Sequence, residues 1–194
     1  MRGLALSLSL ALCLGACASL RQIDNDVWTY SQWPAERKPA SYAFERLPSQ
    51  QARPEPQQRL EDAARRALEL AGFTPAADPN DADVSVQLAA RVSPNERALY
   101  DDPFWWRGGL YVHWRRGFYA PYWGAQVASL SYEREVALLI RDRKTSQPIY
   151  EARATNTGST ALIGSLLPAM FEAAMKDFPH AGVNPRRVSV EITP

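Results

Sequence analysis

The residues whose types and spacing could do chemistry are aromatics interleaved with arginines. Tyr100, Phe104, Trp105, Trp106, Tyr111, Trp114, Phe118, Tyr119, Tyr122 and Trp123 put 10 of the chain's 20 Phe, Trp and Tyr residues into 24 positions. Arg107, Arg115 and Arg116 lie among them, and Gly108, Gly109, Gly117, Gly124, Pro103 and Pro121 mark turns. Aromatic faces stack on sugar rings, and guanidinium groups pair with carboxylates or phosphates. Trp and Tyr also gather at membrane interfaces. The expectation is a binding hairpin using Trp105, Trp106, Tyr111, Trp114, Arg115, Tyr119, Tyr122 and Trp123. Its natural targets would be peptidoglycan, lipopolysaccharide, the membrane interface or an envelope protein. A hairpin that only extends a sheet, with its aromatics packed inward, is the plain alternative.

Signals for catalysis are weak. His113 and His180 are the only histidines, and neither has a nucleophile at a recognisable spacing. Asp78, Asp81 and Asp83 cluster in a turn signature that lacks the glycine and distal Glu of a calcium loop. Asn156-Thr157-Gly158-Ser159-Thr160 lacks a P-loop lysine and reads as a turn before a helix. No enzyme activity, metal or bound cofactor is expected.

The N-terminus carries a different signal. After Arg2, Leu4 to Leu14 is uncharged and almost wholly apolar. It is too short to span a hydrocarbon core of roughly 30 Å and suits the apolar region of a signal peptide. Leu14-Gly15-Ala16-Cys17 resembles a bacterial lipobox. The resemblance implies cleavage before Cys17 and lipid on its thiol. Ala18, in place of Asp, is similar to the outer-membrane address of enteric lipoproteins. The only other cysteine, Cys13, would leave with residues 1–16. The mature chain would then have no thiol for a disulfide or a nucleophile.

Bulk composition fits one exported domain. The precursor has 22 Lys and Arg against 21 Asp and Glu, and loss of Arg2 would leave 21 of each. That balance gives no general reason to expect nucleic acid as a partner. With 46% hydrophobic and 22% charged residues, a packed core is within reach.

The elements that must position these residues follow from periodicity. Val27 to Tyr30 and Ser41 to Leu47 read as strands, and Ser49 to Pro56 as a loop. Gln57 to Ala71 is helical, with Leu60, Ala64, Ala67, Leu68 and Ala71 on one face and Gly72 as a left-handed stop. Asp83 to Val92 alternates strictly. Ser131 to Arg141 and Ile149 to Thr155 form a hairpin about a polar turn. Ala161 to Phe178 is a second helix, regular from about Leu166 because Pro168 suits a first turn. Arg187 to Thr193 is a last strand. The order β-β-α-β-insert-β-β-α-β predicts an α+β fold: a mainly antiparallel sheet with two helices packed on one face, plus an aromatic-rich inserted hairpin. The expected divisions are a signal peptide over 1–16, a lipidated tether over 17–22, and one domain over 23–194 with an insert over 94–126.

Several short segments, in order, resemble the bacterial envelope lipoproteins that share domain of unknown function 4136. They are Ser41-Tyr42-Ala43-Phe44, Leu70-Ala71-Gly72-Phe73, Ala82-Asp83-Val84-Ser85-Val86, Asp142-Arg143-Lys144-Thr145 with Ile149-Tyr150-Glu151-Ala152, and Lys176-Asp177-Phe178-Pro179. The resemblance runs from Ile23 to Pro179. It implies an α+β domain on a periplasmic or outer-membrane lipoprotein, and it supplies no catalytic residues. The expected function is a non-enzymatic binding or structural module of the cell envelope, lipid-anchored and facing the periplasm. Alternatives are an assembly factor docked to another envelope protein and a small periplasmic hydrolase.

Overall fold

A computed structural model describes residues 22–95 and 131–192. The strands are β1 (Gln22–Ser31), β2 (Ser41–Phe44), β3 (Thr74–Pro75), β4 (Val84–Asn95), β5 (Ser131–Asp142), β6 (Pro148–Gly158) and β7 (Arg186–Glu191). The helices are α1 (Pro48–Gln51), α2 (Pro54–Leu70) and α3 (Leu167–Met175), with 3₁₀ turns at Pro79–Asp81 and Gly164–Leu166. The seven strands form one sheet in the order β3-β2-β4-β5-β6-β1-β7.

The α+β class is as expected, but two details are corrected. The sheet is mixed rather than mainly antiparallel, because β2 runs parallel to both β3 and β4. The cause is α2: a helix between two neighbouring strands returns the chain to the end where it began, which makes the strands parallel. There are three helices among the described residues rather than two. The stretch read as a loop over Ser49 to Pro56 holds α1 and the first turn of α2. Pro54 and Pro56 fit there because first-turn amides have no intrahelical acceptor.

The core lies between one face of the sheet and the helices. Alternation turns Val84, Val86 and Leu88 of β4, Val136, Leu138 and Ile140 of β5, and Ala152 and Ala154 of β6 onto that face, all essentially inaccessible. α3 covers them. Seven of its nine residues, including Met170 and Phe171, are buried, since it is enclosed by the sheet on one side and α2 on the other. α2 ends as expected at Gly72, whose φ is 91°. Gly72 N donates to Glu69 O and Phe73 N to Leu68 O, at 2.9 and 3.0 Å, the two bonds of a Schellman stop. The capped turn delivers Phe73 into a cluster with Trp33, which meets it edge-on, and with Phe178, which meets it at a tilt.

Candidate functional site

Among the expected site residues, Cys17 and all eight of the aromatic segment, Trp105, Trp106, Tyr111, Trp114, Arg115, Tyr119, Tyr122 and Trp123, lie outside the described residues. The described strands nevertheless fix where those segments join the domain. Asn95 of β4 pairs with Ser131 of β5. The β5–β6 pairs run to Tyr132 and Gly158 at this end. The β1–β6 pairs end at Asp26 and Thr155, and Gln22 lies four residues further along β1 in the same direction. Asn95, Ser131 and Gln22 therefore lie at one end of the sheet. Three strand spacings of roughly 4.8 Å separate β1 from β4 there. Segment 96–130 and the chain preceding β1 leave from the same end.

That end is braced by a buried arginine. Arg134 occupies an inward position of β5, the gap in the apolar alternation before Val136. Its guanidinium donates to Asn156 Oδ1 at 2.7 Å and to Thr160 O at 2.6 Å. Asn156 Nδ2 in turn donates to Asp24 O of β1 at 2.9 Å. Gly158 leaves room for this, since a Cβ there would stand 2.7 Å from Arg134 Nη2. Asn156 and Gly158 thus belong to strand β6, not to the expected turn, and they serve the sheet end. The signal was available: a charged residue in phase with Val136, Leu138 and Ile140 must be satisfied internally.

The opposite end carries a second polar knot. Thr29 is fully buried in β1. Its N–H donates to Asn184 Oδ1 and its carbonyl accepts from Asn184 Nδ2, both at 2.8 Å. Gly182 N donates to Thr29 Oγ1 at 2.7 Å, and Arg186 Nε donates to Asp177 Oδ2 at 2.8 Å. The knot ties the chain after α3 onto β1. Beside it, burial first, and then the Asp177 carboxylate, push the Tyr150 phenol well above its ordinary range, so it stays protonated. His180 is exposed near the same turn, its N–H donating to Asp177 O.

The sheet face away from the helices carries Trp28 opposite Arg153 and Tyr30 opposite Glu151. Glu135 and Thr155 complete a shallow groove of about 510 Å³ there. Arg153 pairs with Glu151 at 2.9 Å, and Arg91 pairs with Glu135. No group of three His, Cys, Asp or Glu residues among those described is placed to hold a metal ion. No helix among them is long and apolar enough to cross a membrane.

The model of the family described as domain of unknown function (DUF4136) matches residues 26–180. The chain belongs to this family. The resemblance expected from Ile23 to Pro179 is borne out over nearly its whole length. The DUF4136 chain is similar in structure to a PDZ domain protein from Parabacteroides distasonis, with a TM-score of 0.55 at 13% identity over 94% of this chain. It spans 42% of that protein's length. It is also similar to PelC of Paraburkholderia phytofirmans, seen as a dodecamer, with a TM-score of 0.41 at 15% identity over 78% of this chain and 94% of that one. A DUF4136 family protein from Bacteroides thetaiotaomicron gives 0.38 at 20% identity over 79% and 95%. At these identities the likeness is one of fold, and the first of the three carries it. No curated protein matches the chain.

The turns of the DUF4136 domain that hold the family-like segments are structural. In the β5–β6 turn, Asp142 accepts from Thr145 N at 2.8 Å and from Arg37 Nη1 at 2.6 Å. These bonds, Thr145's backbone N–H foremost, lower its pKa to about 2. Asp83 accepts from the Ser41 hydroxyl at 2.6 Å and from its N–H at 3.2 Å, and these two bonds lower its pKa as well.

Proposed function

We propose that this DUF4136 chain is a lipid-anchored protein of the cell envelope, acylated on Cys17 and held at the outer membrane facing the periplasm. Its aromatic segment contacts lipid headgroups and the glycans borne on them, without catalysing a reaction. The observation that supports this reading is that Gln22, Ser131 and Asn95 lie at the same end of the sheet. Cys17 lies five residues before Gln22. Five extended residues reach at most about 18 Å, so an anchor on Cys17 keeps this end of the sheet near the bilayer. Segment 96–130 leaves and re-enters the domain there. Tethered so close, Trp105, Trp106, Tyr111, Trp114, Tyr119, Tyr122 and Trp123 meet headgroups before they meet the cell wall. Their rings suit that polar–apolar boundary, and Arg115 suits its phosphates. The placement favours membrane lipid over peptidoglycan.

Co-sedimentation with vesicles tests this reading. A version beginning at Ala18, without any anchor, is expected to bind vesicles containing lipopolysaccharide. Changing Trp105, Trp106 and Trp114 together to Ala is expected to weaken that binding about tenfold or more. Equal sedimentation of both versions would remove the aromatic segment from the account.

A further inference from the structure

The ladder between β2 and β4 stops early. Tyr42, Ala43 and Phe44 pair with Val84, Ser85 and Val86. Glu45 N then donates to Val86 O at 2.9 Å, and Gln50 Nε2 to Leu88 O at 2.7 Å. Past Leu88, no described residue pairs with this edge, although β4 continues to Asn95 against β5 on its other side. Successive residues of a strand turn their backbone polar groups to opposite sides. Val86 and Leu88 use the β2 side, so Ala90 and Val92 each turn an amide and a carbonyl to the edge that no described residue covers. Pro94, next in phase, has no N–H to offer, as is usual for proline on a strand edge.

A groove of about 700 Å³ lies beside that edge. Leu60, Ala90, Ile163 and Leu167 line it, and Arg53 and Arg59 stand on its rim. Both arginines are exposed and have no ion-pair partner among the described residues. The one acid in the lining, Asp62, is engaged by Arg65 and Gln58. Three demands meet here. The open ladder takes an extended backbone. The trough takes an apolar side chain, because a residue opposite Ala90 points to the helix side of the sheet. The rim takes carboxylates.

We infer that the β4 edge at Ala90 and Val92, unpaired among the described residues, docks an extended segment of a partner protein. The segment adds a strand, places an apolar side chain in the trough, and sets a carboxylate against Arg53 or Arg59. This inference stands apart from the lipid anchor.

Residue-resolved amide exchange on the purified full-length protein tests it. Without peptide, the Ala90 and Val92 amides are expected to exchange about 100-fold faster than those of Ala89 and Arg91, which face β5. Equal protection would overturn the inference, because the edge would then be closed by the chain itself, residues 96–130 included. The probe is a synthetic peptide alternating Val and Thr between terminal Glu residues, used at about 1 mM. It is expected to slow exchange at Ala90 and Val92 about tenfold, and to lose that effect on the R53E/R59E protein, whose changes sit on exposed positions. No protection by this peptide, or equal protection by the same peptide with Lys in place of Glu, would also overturn it.

Discussion

The guanidinium of Arg134 fills the space that a side chain on Gly158 would need, with Nη2 2.7 Å from the position of the absent Cβ. Two residues on neighbouring strands thereby close the sheet end from which segment 96–130 departs. Gly158→Ala is expected to destabilise the domain by about 1 kcal/mol, because the guanidinium must shift and loosen its hydrogen bonds to Asn156 and Thr160. Arg134→Ala is expected to cost a similar amount by leaving Thr160 O and Asn156 Oδ1 unsatisfied. The double change should cost less than the sum of the two, because one removes what the other collides with. Urea unfolding of the four proteins measures all three terms.

A second prediction concerns a buried carboxylate. Glu61 is nearly inaccessible on α2, and Arg46 grips it with Nε at 2.6 Å and Nη2 at 2.7 Å. Arg46→Ala would leave the charge buried and unpaired, at a cost of about 3 kcal/mol. Changing Glu61 to Gln in the same background should recover much of that loss. A denaturation midpoint that does not move on Arg46→Ala would contradict the pairing.

Acid should act through Asp142. Its pKa is held at about 2 in the folded protein, below an unfolded value of roughly 3.9, so its contribution is complete above about pH 4 and lost as pH falls toward 2. Asp142→Asn is expected to cost about 1 kcal/mol at pH 7 and to flatten the decline in stability between pH 4 and pH 2. Parallel loss in both proteins across that interval would assign the acid sensitivity to other carboxylates.

Much of this domain was legible where side chains alternate without interruption. β4, β5, β6 and β7 came within a few residues of their limits, and Gly72 marked the end of α2. Periodicity marks β1 only from Val27, whereas the strand begins at Gln22. The reason is that its inward positions include Asn25 and Thr29, fully buried polar residues, and a pattern of apolar residues cannot announce those. β3, two exposed residues long, has no pattern to read. The helix expected over Ala161 to Phe178, regular from about Leu166, begins at Leu167 and ends at Met175, short of Phe178. Pro168 takes a first-turn position and Gly164–Leu166 wind as a 3₁₀ turn ahead of it. Strand direction was missed because periodicity carries no information about which way a neighbour runs. The aromatic segment is conspicuous in composition, yet the end of the sheet from which it leaves is given only by the strand registers. Arg134 was visible as a break in alternation, and its partners were not.

The sheet end shared by Gln22, Ser131 and Asn95 is the membrane-facing end only if the Cys17 sulfur carries lipid. Growth with an alkyne-bearing fatty acid, followed by capture of labelled proteins, reads lipid on that sulfur directly. The account predicts strong labelling of the wild-type chain, none of Cys17→Ser, and full labelling of Cys13→Ser. An unlabelled wild-type chain, or a Cys17→Ser chain labelled as strongly, would contradict it.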